Sequence, residues 1–258
     1  MLGICTFNLV AVRATDSDKS EMVTQLLFGD TYTVLSESEN EKWLKIEITA
    51  DAYQGWMDKK LHYSISERFL ANIQTNENYF CSEVVGYVQV EETQLPIFFG
   101  SYLPLFDGEY VYLNDKRFPF IGQSNKVQKT MAGQIVHTAK SFLSTPYLWG
   151  GKSHAGIDCS GLTQMVFRSC GHHLMRDAYQ QESMGVRVEK LEKAESGDLA
   201  FFCNDSGKIT HVGILINNRE IIHAHGKVRI DQIDNTGIIN GDSGMYSHKL
   251  FGIRRLMG

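Results

Sequence analysis

The 258-residue sequence has no long apolar run: no stretch approaches the ~18 to 20 consecutive apolar residues of a membrane-spanning helix, which argues against a helical membrane protein. It also lacks a basic stripe. Lys and Arg number 25 against 30 Asp and Glu, for a formal net charge of -5, so general binding to nucleic acid phosphates is excluded. Nor is there a cysteine framework. Cys5, Cys81, Cys159, Cys170 and Cys203 are odd in number and irregularly spaced, the pattern of reduced thiols rather than a disulfide scaffold. The segment Met1 to Ala14 has no basic n-region and its short apolar stretch contains Asn8, so a first strand is expected there instead of a secretion signal. The expected compartment is the cytoplasm, with a periplasmic or exported location as the alternative if a signal lies outside this chain. Low-complexity segments are also missing.

What is present is an ordinary globular composition, 43% hydrophobic and 21% charged, in a chain long enough for two or three small domains. Residues 1–65 read as short strands with turns. In Trp43 to Thr49, Leu44, Ile46 and Ile48 take one face, the pattern of a half-buried strand. Asp30 to Leu35 and Tyr53 to Met57 read as further strands. A second strand-rich stretch, 66–122, opens with a short helix over Arg68 to Gln74 and continues with strands at Val84 to Val90, Leu95 to Phe99 and Glu109 to Leu113. Strand-dense units of this size are barrels or sandwiches. In 123–258 the period changes. Ala132, Ile135, Val136, Ala139, Phe142 and Leu143 form a helical stripe that ends before Pro146. A strand at Asp198 to Phe202 and a last one near Leu250 to Leu256 make this part α+β.

The chemistry centres on Asp158-Cys159-Ser160-Gly161, which follows the glycine-marked turn Tyr147-Leu148-Trp149-Gly150-Gly151. From Cys159 onward Leu162, Met165 and Val166 recur at helical spacing, placing the thiol in a first helical turn where the helix dipole favours thiolate. Asp158 suits an N-cap.

Thr210 to Gly226 reads as a β-hairpin turning at Asn217-Asn218. With an odd-length loop, His211 stands opposite His223 or His225 and all three imidazoles share one sheet face. An even loop pairs His211 with Ala224 instead. In the first case the residues have the logic of a Cys-His-orienter triad: Cys159 attacks a carbonyl, His211 acts as base, and His223 holds its ring. Backbone N–H groups at the helix start, including that of Cys159, suit an oxyanion.

In order and spacing, Pro146 to Gly151, Asp158 to Gly161, Gly197-Asp198-Leu199, His211 to Ile214 and Ile222 to Gly226 resemble the NlpC family of bacterial cell-wall cysteine peptidases. Upstream, Trp43 to Ile46 and Gly55-Trp56-Met57 resemble bacterial SH3-like modules. The resemblance implies two small all-β SH3-like barrels (1–65 and 66–122) followed by an α+β papain-like catalytic domain (123–258), with no cofactor and no metal. The order of modules is similar to that of γ-D-glutamyl-L-diamino acid endopeptidases of the dipeptidyl-peptidase VI type. These cut after L-Ala-γ-D-Glu in peptidoglycan-derived peptides with a free N-terminal alanine. By that resemblance Cys159 is the nucleophile, His211 the base and His223 the orienter. Tyr147, Asp158, Ser160 and Asp177 fall in the substrate region, and Glu21 and Tyr53 reach the substrate ammonium from the first module. Oligomeric state and the preferred diamino acid stay open.

Three other readings use the same residues. An inert peptidase domain could serve a wall- or peptide-binding protein. Cys159, His211, His223 and His225 could ligate zinc, although no short-spaced cysteine pairs accompany them. Thiolate chemistry at Cys159 could also serve acyl transfer.

Overall fold

The computed structural model describes residues 1–256, and the chain forms two compact units, Met1–Gln128 and Lys129–Gly258. In the first unit, seven strands form one antiparallel sheet: β1 (Leu2–Ile4), β2 (Leu9–Arg13), β3 (Met22–Leu27), β4 (Thr31–Glu37), β5 (Trp43–Ile48), β6 (Gln54–Asp58) and β7 (Ser64–Ile65), in the order β3-β2-β6-β5-β4-β1-β7. The stretch expected as a single first strand is two. At the bend between them the Asn8 side chain accepts from the Leu9 amide at 2.8 Å, a local bond of the kind that competes with a continuous ladder. Strand β5 alternates as its sequence requires, with Leu44, Ile46 and Ile48 in the core alongside Val10, Val12 and Met57.

Helix α1 (Glu67–Thr75) starts at Ser66, whose hydroxyl accepts from the Phe69 amide at 3.1 Å, and it extends one residue beyond the expected Arg68 to Gln74 at each end. Beyond it lie β8 (Tyr79–Cys81), β9 (Val85–Val90), β10 (Thr93–Phe98), β11 (Tyr102–Leu103), β12 (Tyr110–Leu113), β13 (Lys116–Ile121) and β14 (Ser124–Lys126), in sheets ordered β10-β9-β13-β12 and β11-β8-β14. These strands share a core with the first seven. Ile4, Phe28, Ile65 and Phe69 pack in one cluster with Cys81, Val88, Ile97 and Val111. Gly29 (φ +83°) marks the seam, because a Cβ there would stand 2.4 Å from the Tyr102 carbonyl oxygen.

The second unit opens with α2 (Ala132–Ser141), β15 (Lys152–Ser153), β16 (Gly156–Ile157), α3 (Cys159–Ser169) and α4 (Ala178–Glu182). Strands β17 (Val186–Val188), β18 (Leu199–Cys203), β19 (Ile209–Asn217), β20 (Glu220–His225), β21 (Lys227–Ile233), β22 (Gly237–Ile239) and β23 (Tyr246–Arg255) follow. Their order is β17-β23-β18-β19-β20-β21-β22, and β22 pairs back onto β23, so six strands close on themselves. The α+β reading of this unit holds. Every residue of α3 is buried, which explains why its apolar stripe is incomplete in the sequence: polar Thr163, Gln164 and Arg168 are enclosed too. Leu162, Met165, Val166 and Phe167 are fully buried, each contributing roughly 1.5–3 kcal/mol relative to exposure.

Candidate active site

Asp158 builds the start of α3. Its backbone is extended (φ -95°, ψ 178°) and its Oδ1 accepts from the Gly161 amide at 2.7 Å, the N-cap bond that the Asp-x-x-Gly spacing suggests. Its Oδ2 accepts from the Gly150 amide at 2.8 Å, which ties the glycine turn to the helix. Gly161 and Gly151 pack backbone to backbone, and a Cβ on Gly161 would lie 2.3 Å from the Gly151 carbonyl oxygen. Arg176 completes the anchor. Its Nη2 donates to Asp158 Oδ2 at 2.6 Å, and its Nη1 donates to Oδ1 at 3.1 Å and to Ser160 Oγ at 2.9 Å. Arg176 is only 1% exposed, so this bidentate pair is removed from water. Arg176 has no local signal of burial in the sequence, where it stands as an isolated arginine between Met175 and Asp177.

Cys159 is the first residue of α3 and is 6% exposed. The expected preference for thiolate does not hold at rest. Burial, aided by the Asp158 carboxylate, pushes the thiol up to about 12, while hydrogen bonding from the Val212 amide pulls the other way. The resting group is therefore a thiol, and a base must take its proton during reaction. The Val212 contact places the sulfur beside the residue that follows His211 on β19. Burial and the neighbouring Cys159 and Asp158 also raise the phenol of half-buried Tyr147.

The hairpin answers the parity question through a bulge. Asn217 pairs with Glu220, so the turn proper is Asn218-Arg219, one residue later than expected. A register shift between Leu215 and Asn217 then gives Leu215 opposite Ile221 and Gly213 opposite His223. The extra residue restores the odd parity, and His211 and His223 share a face. Their rings meet edge to face with centroids 5.1 Å apart, and His211 Nε2 lies 2.9 Å from His223 Nδ1. On its other side, His223 Nε2 lies 3.0 Å from Asp231 Oδ2. His211, His223 and Asp231 are 5%, 0% and 4% exposed. Desolvation is the main cause lowering both imidazoles, so both rest neutral at pH 7.

Two further groups were missed in the sequence. Asp231 comes from β21, where it pairs with Ile221, one diagonal step from His223. His248 comes from β23 and stacks on His211 with centroids 4.1 Å apart at 25°. Asp231 arrives on the return strand of the β20–β21 hairpin, which turns at Gly226, and His248 arrives on β23, which pairs with the distant β18 beside β19. Donor atoms of His211, His223 and His248 lie within 4.8 Å of one another, a grouping that includes neither Cys159 nor the exposed His225 of the zinc reading. Of the remaining candidates, Ser160 is buried under Arg176, and Asp177 is the N-cap of α4, where its amide donates to Gln180 Oε1 at 3.0 Å. Glu21 and Tyr53 belong to the first unit. Glu21 is exposed just before β3, and Tyr53, half-buried against the core, donates its amide to Asp51 Oδ1 at 3.1 Å.

Comparison with known proteins agrees with this architecture. Residues 144–245 match the NlpC/P60 family and residues 12–60 match the bacterial dipeptidyl-peptidase Sh3 domain. A γ-D-glutamyl-L-lysine dipeptidyl-peptidase of Bacillus subtilis is 31% identical over 241 residues, covering 86% of this chain and 75% of the relative. Dipeptidyl-peptidase 6 of Lysinibacillus sphaericus is 27% identical over 83% of this chain and 85% of its own. The crystal structure of an NlpC/P60 family protein from Bacillus cereus superposes over the whole of both chains with a TM-score of 0.83 at 23% identity, which shows the shared fold. Together, the family match over the Cys159 unit and the 31% identity across most of a peptidase relative show that this chain belongs to the NlpC/P60 family of cysteine peptidases.

Proposed function

We propose that the chain hydrolyses the bond between γ-D-glutamate and an L-diamino acid, lysine or diaminopimelate, in peptidoglycan stem peptides with a free N-terminal L-alanine. The product is L-Ala-γ-D-Glu, and the setting is recycling of wall peptides. The observation that carries the chemistry is the buried Cys159 thiol against the Val212 amide, with His211 next in the chain and bonded to His223. Similarity to two dipeptidyl-peptidases over more than four fifths of this chain supports the substrate class.

In this reading Cys159 Sγ attacks the γ-glutamyl carbonyl carbon while its proton passes to His211. Amides at the start of α3 meet the oxyanion. Collapse breaks the C–N bond, and the proton on His211 goes to the leaving amine. Water then cleaves the thioester, with His211 taking a proton from water and returning it to sulfur. His223 orients the His211 ring. Asp158 and Arg176, acting as a neutralised pair, fix Ser160 and the helix start. Tyr147, Ser160 and Asp177 contribute to the substrate side of the site.

The test pairs L-Ala-γ-D-Glu-L-Lys with its N-acetylated form and follows products by mass spectrometry. Release of L-Ala-γ-D-Glu from the free peptide alone is the expected result. Equal cleavage of both would remove the requirement for an ammonium, and cleavage of neither would remove the substrate assignment.

A further inference from the structure

We infer that Asp231 is a positioning residue for the peptidase reaction: it sets the tautomers of His223 and His211 in series, so that Nδ1 of His211 is the atom that takes the Cys159 proton. This rests on the proposed roles of Cys159, His211 and His223, and it adds a residue that has no part in those roles.

Donors and acceptors must alternate from Asp231 through His223 to His211. An ionised carboxylate only accepts. Asp231 is held ionised on every side: Oδ1 accepts from Arg229 Nη2 at 2.9 Å and from the Gly241 amide at 3.0 Å, and Arg229 Nε stands 2.8 Å from Oδ2. These contacts, with that of His223, keep its carboxyl low, at about 2. His223 Nε2, 3.0 Å from Oδ2, must therefore be the N–H. His223 is neutral, so its Nδ1 carries a lone pair. That lone pair faces His211 Nε2 at 2.9 Å, and only an N–H there makes a bond. Neutral His211 then has its lone pair at Nδ1. The opposite assignment at either imidazole would set two N–H groups or two lone pairs against each other in a site from which water is excluded.

The same series serves the reaction step. When Nδ1 of His211 accepts the thiol proton, the new positive charge is delocalised onto an Nε2–H already bonded to His223, and His223 is bonded in turn to an anion. Arg229 also pairs with Asp242 through its Nη1 at 2.6 Å, so it holds the carboxylate in place while sharing its charge with a second acid. Strand register makes the placement specific. Arg229 pairs with His223 and Asp231 with Ile221, so β21 presents the acid and its anchoring base together beneath the imidazole.

Long-range 1H–15N spectra of histidine-labelled, full-length protein at pH 7.5 test the tautomers without any substitution. The expected result is Nε2–H with bare Nδ1 for both His223 and His211, and an Nδ1–H form of either ring overturns the inference. Asp231→Asn then tests the consequence. Its amide can donate toward His223 Nε2, so the tautomers should shift and kcat on L-Ala-γ-D-Glu-L-Lys should fall roughly 100-fold or more with KM within about twofold. A folded Asp231→Asn protein with wild-type kcat and wild-type tautomers overturns the inference. If the wild-type protein leaves that peptide uncut, the substrate assignment fails while the spectra still decide the tautomers.

Discussion

The two units of the chain are both built on seven-stranded antiparallel sheets, yet they bury different kinds of group. In the first unit the buried carboxylates serve turns: Asp30 Oδ2 accepts from the Leu27 amide at 2.9 Å, and Asp51 Oδ1 from the Tyr53 amide. In the second unit buried ionisable side chains meet each other, as Asp158 meets Arg176 and His223 meets Asp231. A carboxylate bonded to backbone amides stabilises a bend. A carboxylate bonded to another titratable side chain passes its influence on to a third group. Eight of the nine histidines also lie in the second unit, with only His62 in the first. The contrast is one of coupling.

The largest effect is expected at Cys159. Replacing it with Ala removes the nucleophile, and turnover of stem peptide should fall by roughly 10⁴-fold or more, to the background of an assay. Melting of both units should stay within a few degrees, since the thiol fills little volume. Turnover that survives Cys159→Ala would transfer the chemistry elsewhere and dissolve the contrast between the units.

Next comes the Asp158–Arg176 pair. Arg176→Met keeps most of the side-chain volume but leaves Asp158 as an uncompensated buried charge, a change that costs about 3–5 kcal/mol. Hydrogen exchange followed peptide by peptide should show protection lost in Lys129 to Leu256 and kept in Met1 to Gln128. Uniform loss in both units would mean that they unfold as one.

Acid should separate the units in the same direction. Burial lowers His154 and His248 to about 4, lowers His223, and takes His211 well below the ordinary 6.5. Because these folded values lie below the unfolded one, the unfolded chain binds the extra protons. Their stabilisation is full above pH 6.5 and declines as pH falls toward 4, by up to about 1.4 kcal/mol per pH unit for each group. The first unit has only His62 to lose in this way. Exchange at pH 7.5, 6 and 5, corrected for its intrinsic pH dependence, should show the second unit weakening first. Equal weakening would mean that the buried imidazoles are not what acid acts on.

How much of this was legible in the sequence follows the same division between local and distant interactions. The helix start at Cys159 was readable because an N-cap and a glycine turn are local devices, complete within about a dozen residues. In the first unit β5 was readable from alternation, whereas β3, β8 and β13 lie in stretches where no strand was expected. The bulge at Ile216, which decides the parity of the histidine hairpin, has no local signature, since a one-residue register shift is imposed by the pairing on both sides. Asp231 and His248 lie 8 and 25 residues beyond His223: Asp231 returns on the next strand of the β20–β21 hairpin, and His248 reaches the site only when β23 pairs with the much earlier β18, beside β19. Thiol ionisation was misjudged for a related reason. The helix dipole can be inferred from position, whereas the burial that outweighs it depends on the whole unit.

The smallest effect is the sharpest control on the comparison. Lys59 and Glu37 form an ion pair in the first unit, with side chains 44% and 38% exposed, chemically the counterpart of Arg176 and Asp158 but in water. There the solvent screens the attraction, ordering two flexible side chains offsets it, and either charge left alone is hydrated at once. Lys59→Met should therefore leave thermal unfolding and exchange protection unchanged within error, and peptide turnover with them. If Lys59→Met and Arg176→Met weakened their units by similar amounts, burial would not be what distinguishes the two pairs. The anchoring role assigned to Arg176 would then have to come from its contact with Ser160 rather than from the charge it neutralises on Asp158.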